Sequence, residues 1–212
     1  MSLIFPAPKV NTIPVRGTDG LFPVNRIFCV GRNYEAHAAE MGNDVPAEPM
    51  IFLKPSTSVI GPGEPIALPW QSEQVEHEAE LAIVIGRLCR EVPVSRVPEV
   101  VLGYTVANDV TARDLQAKDV QYTRAKGFDT FAPLGPVLVT RDEIPNPNAL
   151  RIRTLLNGET MQDWNTDDMI FDVPAIIEFL SSSKTLLPGT VILTGTPHGV
   201  GFARTPPVWL KA

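Results

Sequence analysis

The stretch His77-Glu78-Ala79-Glu80-Leu81-Ala82-Ile83-Val84-Ile85-Gly86 limits the fold more than any other part of the chain. Its second half is apolar at every position. A strand with one wet face alternates apolar and polar residues, so an unbroken run predicts a strand buried on both faces. Such a strand needs a covering layer on each side. Val100 to Ala107 reads as a second buried strand, ended by Asn108-Asp109.

Around these two strands the punctuation is dense. The 212 residues include 21 prolines and 15 glycines, which favours turns and short strands over long helices. Further strands are predicted at Arg26–Val30, closed by Gly31, and at Met50–Leu53, closed by Lys54-Pro55. Others are Val137–Val139, Thr190–Leu193, and Ile152–Leu156 before the hairpin dipeptide Asn157-Gly158. Asn33 to Met41 reads as a short helix that Asn33 can cap and Gly42 can stop. Met169 to Leu180 has an apolar helical period, with Pro174 near its first turn. Residues 1–25 contain Pro6, Pro8, Pro14 and Pro23, show no clear period, and read as a mobile or surface-laid arm. Strands outnumber helices and do not alternate strictly with them. The expected class is therefore α+β with an antiparallel or mixed sheet, not a doubly wound fold.

Composition narrows the function. The length suits one domain, or at most two. An apolar share of 44% with 20% charged residues excludes a disordered chain. The formal charge of −6 and the lack of a Lys/Arg run argue against nucleic-acid binding. Cys29 and Cys89 form no CxxC and have apolar neighbours, so they read as buried free thiols suited to a reducing compartment. The N-terminus has no signal-peptide pattern, and no apolar stretch nears the roughly 20 residues that span a bilayer. The expectation is a soluble cytoplasmic protein with no membrane partner.

Several residues could carry chemistry. Glu78 and Glu80 stand at i and i+2, which in a strand puts both carboxylates on one face beside a run that belongs to the core. Two anions there repel and resist desolvation, so something positive must compensate. A divalent cation does this best, and all-oxygen ligation suits Mg²⁺, Mn²⁺ or Ca²⁺ over zinc. The same spacing also fits an acidic pair facing solvent on an edge strand. If the two apolar strands are neighbours, Asp109 adds a third carboxylate; otherwise Asn108-Asp109 is only a terminating turn. His37 and Glu40 lie at i and i+3, on one helix face. A carboxylate beside an imidazole orients it and raises its basicity, as in a general base acting on water, although exposed helices carry such pairs too. His77 points away from the Glu78 face and reads as packing or support. His198, in a glycine-rich turn, reads as exposed. Lys126, by residue type alone, reads as a solvated surface group. Thr194-Gly195-Thr196 with Gly199 and Gly201 could present backbone N–H groups to a carboxylate. There is no P-loop ending and no GxSxG elbow.

Taken in order, several short motifs are informative together. They are Val30-Gly31-Arg32-Asn33-Tyr34 leading into His37 and Glu40; Phe52-Leu53-Lys54-Pro55; and His77-Glu78-Ala79-Glu80-Leu81. Asn108-Asp109-Val110-Thr111-Ala112-Arg113-Asp114-Leu115-Gln116 follows, then Ala125-Lys126, then Thr194-Gly195-Thr196-Pro197 with Gly199-Val200-Gly201. Each is weak alone. The ordered set, over about residues 26–205, resembles the fumarylacetoacetate hydrolase family. Within it the chain is similar to the small acylpyruvate hydrolases, including fumarylpyruvate hydrolases.

The resemblance implies a mixed β-roll with few short helices, acting as a homodimer. It implies a catalytic domain at residues 26–212 after an N-terminal arm at 1–25. It makes Glu78, Glu80 and Asp109 the ligands of Mg²⁺ or Mn²⁺. His37 and Glu40, on a short lid helix, would activate water. Lys126 would sit at the metal-bound end of the substrate, Arg113 and Gln116 would shape the site, and Thr196 would bind the substrate carboxylate. The partner is a small 2-oxo acid. The implied reaction splits the C3–C4 bond of a 2,4-dioxo acid, giving pyruvate and a carboxylic acid in aromatic catabolism. Two alternatives keep the metal. One is oxaloacetate decarboxylation or keto–enol tautomerisation; the other is isomerisation or decarboxylation of dienedioates from aromatic degradation. A binding domain without turnover is a third. Family members usually continue past this chain's Ala212 with a Gly-Asp turn and two more strands, so the resemblance implies that C-terminal strands are missing.

Overall fold

The computed structural model, which describes Ile4, Pro6 and residues 9–212, is built around the two apolar runs. Before them come β1 (Thr12–Pro14), β2 (Leu21–Pro23), β3 (Arg26–Gly31), helix α1 (Glu35–Glu40), β4 (Met50–Lys54), β5 (Val59–Ile60) and β6 (Val75–Glu76). The runs themselves form β7 (Ala79–Ile85) and β8 (Val101–Asn108), with the one-turn helix α2 (Val97–Val100) between them. Then follow β9 (Thr111–Ala112), α3 (Arg113–Lys118), α4 (Thr123–Lys126) and β10 (Ala132–Thr140). The chain closes with β11 (Arg151–Leu156), β12 (Glu159–Asn165), α5 (Val173–Ser183) and β13 (Thr190–Leu193).

Seven strands make one curled sheet in the order β4-β3-β13-β7-β8-β10-β5. The β3–β13 and β5–β10 pairs are parallel, and the other four are antiparallel. The class is α+β with a mixed sheet and few short helices, as expected.

All seven residues of β7 are buried. Leu81, Ile83 and Ile85 face Ile176, Ile177 and Leu180 of α5. Ala82 and Val84 face the other way, onto Ile13, Phe22 and Leu138. A covering layer on each side is what the unbroken apolar run requires, and each large aliphatic side chain buried this way contributes about 1.5–3 kcal/mol. Cys29 and Cys89 are buried free thiols.

Four details differ from the sequence reading. β1 and β2 pair as a hairpin and put Ile13, Phe22 and Val24 into the core, so this part of the expected arm is built into the fold. Residues 1–3, 5, 7 and 8 of that arm lie outside the described residues. β7 begins at Ala79, not His77, because the Glu78 N–H is taken by the side chain of Asn108 (3.0 Å). Asn33 does not cap α1. Its amide donates to the carbonyls of Phe171 (2.9 Å) and Thr194 (2.7 Å) and accepts from Phe171 N–H (2.7 Å), and Tyr34 takes the cap position. Helix α5 starts only at Val173, where Asp172 accepts from Ala175 N–H (2.9 Å) and Pro174 sits in the first turn. Among the described residues, no helix is long and apolar enough to cross a membrane.

Candidate active site

β7 and β8 are antiparallel neighbours, with Ala79 opposite Asn108 and Glu80 opposite Ala107. This register brings the start of one strand to the end of the other, and Asp109 N–H donates to the Glu78 carbonyl (2.8 Å). Oxygens of Glu78, Glu80 and Asp109 therefore lie within 4.8 Å of one another. The three residues are only 4%, 2% and 1% exposed. Neither the solvent-facing pair nor the simple strand-ending turn describes them.

Three buried cations surround the cluster. Lys126 Nζ donates to Glu78 (2.7 Å) and Asp109 (2.7 Å). It is no surface lysine, because α4 turns it inward over the Phe52 ring, 5.3 Å from the centroid. Lys54, at the end of β4, donates to Asp109 and to the Val110 carbonyl. Arg113, at the start of α3, bonds Glu76, Glu78 and Gln116. Buried Glu76 also accepts from the N–H of Phe202, so it fastens Arg113 to the loop after the glycine-rich turn. Lys54 and Glu76 were given no role in the sequence reading.

Four buried carboxylates thus face three buried cations, leaving one negative charge. The deficit falls on Glu80. Its side chain accepts from Gly195 N–H (2.6 Å), and no cation among the described residues is within ion-pair distance. Burial pushes the Glu80 carboxyl well above the usual carboxylate range; Asp109 and Glu78 push the same way, against the pull of Lys126. At Glu78 burial is outweighed by Lys126 and then Arg113, which hold the carboxyl below that range. Burial alone would lower the Lys126 ammonium, but Asp109 and Glu78 raise it above its ordinary value. An all-carboxylate set short of positive charge fits a hard divalent ion. With a divalent ion added, one positive charge remains, which suits an anionic ligand.

His37 and Glu40 meet on one face of α1, Nδ1 to Oε1 at 2.7 Å. Glu40 is held from the far side by Gly199 N–H (2.9 Å). Gly199 has φ +96°, and a Cβ there would lie 2.4 Å from the Met161 carbonyl oxygen. Only glycine lets this turn press on β12 and still donate to Glu40. Gly199→Ala should therefore cost about 1–3 kcal/mol in a urea unfolding titration. It should also slow turnover of any reaction that uses His37, by loosening Glu40.

Thr196 is buried, donating to the Ala79 carbonyl (2.9 Å) and accepting from Gln162 (2.7 Å). Gln162 also accepts from Ala79 N–H (3.0 Å) and donates to the Pro197 carbonyl (2.8 Å). It reaches the site because the β11–β12 hairpin, turned at Asn157-Gly158, folds over β7. The sequence reading missed it, since nothing local marks one glutamine on a hairpin. His77 is buried. His198 is not exposed: it is half-buried, edge-on to Trp164 at 4.5 Å.

His37, Glu78, Glu80, Asp109, Arg113, Gln116, Lys126 and Thr196 all line one narrow cavity of about 60 Å³. Glu40 stands behind His37. At this cavity sit carboxylates fit for a metal, a His–Glu dyad and a buried ammonium.

Residues 26–212 match the family described as fumarylacetoacetate (FAA) hydrolase C-terminal. The chain is 49% identical to mitochondrial oxaloacetate tautomerase of Xenopus laevis over 88% of its own length and 59% of that protein's. It is 51% identical to the crystal structure of 5-carboxymethyl-2-hydroxymuconate delta-isomerase from Mycobacterium smegmatis, with a TM-score of 0.78 over 85% of this chain and 71% of that one. Fumarylpyruvate hydrolase from Pseudomonas aeruginosa, solved in complex with Mn²⁺ and pyruvate, is 36% identical with a TM-score of 0.87, over 94% of this chain and 89% of that one. With the ordered motifs, the mixed sheet and this match over nearly the whole chain, the protein belongs to the fumarylacetoacetate hydrolase family.

Proposed function

We propose that the protein is a divalent-metal-dependent hydrolase that splits acylpyruvates into pyruvate and a carboxylic acid. The observation that carries this reading is His37, which lines the same cavity as the carboxylate cluster and is bonded from behind to Glu40 at 2.7 Å. Mg²⁺ or Mn²⁺ held by Glu78, Glu80 and Asp109 would supply Lewis acidity and positive charge to the substrate's oxo-acid end. Support comes from the Pseudomonas aeruginosa neighbour, which holds Mn²⁺ and pyruvate.

The chain's own residues do the rest. Glu40, fixed by Gly199, accepts Nδ1–H of His37 and leaves Nε2 as the base. That nitrogen takes a proton from water, whose oxygen bonds to C4 of the 2,4-dioxo acid while the C4 carbonyl π pair moves onto its own oxygen. The carbonyl re-forms as the C3–C4 bond breaks, which releases the carboxylic acid and leaves the bond's electron pair on C3 as the enolate of pyruvate. C3 is then protonated, and His37 carries a proton of the right origin. Lys126, held as an ammonium by two carboxylates, adds positive charge where the enolate forms.

One finding favours a second reading. The Xenopus laevis tautomerase is 49% identical, against 36% for the fumarylpyruvate hydrolase. Keto–enol exchange of oxaloacetate needs the same enolate and no water. Turnover of acetylpyruvate in H₂¹⁸O separates the two. Hydrolysis puts label into the acetate formed. Enol–keto conversion of oxaloacetate with no acylpyruvate cleavage would replace the hydrolase reading with the tautomerase one.

A further inference from the structure

Among the described residues, the cavity has one guanidinium or ammonium with no anion beside it. Lys54, Arg113 and Lys126 are each ion-paired to buried carboxylates. Arg32 lines the same cavity, and among the described residues it has no carboxylate within ion-pair distance. We propose that Arg32 reads a second anionic group on the substrate. The site then selects 2-oxo acids with a carboxylate at the far end over those ending in an alkyl group. This rests on reading the cavity as a 2-oxo acid site.

The backbone sets Arg32 apart first. It has φ +55°, the left-handed region that side chains other than Asn and Asp rarely occupy. On one side, Gly31 ends β3 opposite Met50. On the other, Asn33 is fastened through its side chain to Phe171 and Thr194. The unusual conformation is therefore imposed from both sides and fixes where the side chain leaves the backbone.

The guanidinium is under-used. Nη1 donates to Asn43 Oδ1 (3.0 Å), Nη2 lies 3.7 Å from Met50 Sδ, and Nε is buried with no partner. Asn43 and Met50 themselves line the cavity, so the guanidinium sits among its walls. A neutral amide oxygen and a thioether are poor partners for a group with five donors. The Nε–Nη2 edge, which grips a carboxylate through two parallel hydrogen bonds, meets no oxygen at all. A flexible methionine covers that edge, and its unbranched side chain can move aside. The carboxylate cluster is fully buried while Arg32 is half-buried, so the oxo-acid end and a second charge would occupy different depths.

Binding, measured by calorimetry on Mg²⁺-loaded protein, tests this without turnover. 2-Oxoglutarate and 2-oxopentanoate share a five-carbon chain and an oxo-acid end, and only the first has a distal carboxylate. Wild type should bind 2-oxoglutarate at least about tenfold more tightly. Arg32→Met should erase that preference while leaving 2-oxopentanoate within about twofold. Arg32→Lys, a point charge without the fork, should keep part of it. Equal wild-type affinities for the two acids overturn the proposal without any variant, as does binding of neither. Equal loss on both acids in Arg32→Met also overturns it, since that marks a structural role. The functional reading fails separately: an Arg32-dependent preference with no acylpyruvate cleavage sinks the hydrolase and keeps this proposal. Cleavage without the preference does the reverse.

Discussion

Replacing Glu80 with alanine should remove metal binding and hydrolysis together, and without destabilising the metal-free fold. The reason lies in the charge inventory. Glu78 and Asp109 are each held by buried cations, whereas Glu80 has only a backbone N–H and two neighbouring anions. Without metal, Glu80 costs the fold either as a buried charge lacking a counter-ion or as a carboxyl that must take up a proton, and deleting it removes that cost. Metal-free Glu80→Ala should therefore melt at or above metal-free wild type. Added Mg²⁺ or Mn²⁺ should raise the wild-type melting temperature, through binding to the native state alone, and leave the variant unmoved. Proton release follows from the same geometry. Burial and like charge favour a proton on Glu80, and a cation must displace it, so wild-type metal affinity should rise with pH. Wild-type metal affinity in Glu80→Ala would remove the triad from the account.

The second large effect belongs to His37. His37→Ala should leave metal affinity within about twofold and cut acylpyruvate hydrolysis by roughly 10²–10⁴, the usual worth of a positioned general base. Both parts follow from placement, because His37 sits on α1 bonded to Glu40, while the carboxylate cluster is held from β7 and β8. Glu40→Gln should cost less, since it keeps a hydrogen-bond acceptor near Nδ1 but loses the charge. If His37→Ala hydrolyses at the wild-type rate, the dyad has no part in activating water.

How much of this could be read beforehand depended on range. The two central strands were legible because an unbroken apolar run has few other homes, and their acidic ends then converge by pairing alone. Other features were decided by contacts far apart in sequence. Asn33 has the chemistry of a cap, but carbonyls more than 130 residues away compete for its amide and win. Ile13 and Phe22 sit on strands of three residues, too short to show a period, among prolines that read as loop. The Asn157-Gly158 turn announces a hairpin but not the surface it folds over, so Gln162 stayed hidden. Lys54 and Lys126 are residues of an exposed type, and only the anions that surround them explain their burial.

The most direct measurement is pyruvate release from acetylpyruvate and fumarylpyruvate, with Mg²⁺ and with EDTA. The account predicts cleavage of at least one acylpyruvate, lost in EDTA and restored by excess Mg²⁺ or Mn²⁺. Cleavage that persists undiminished in EDTA, or no cleavage of either substrate with metal present, would contradict it.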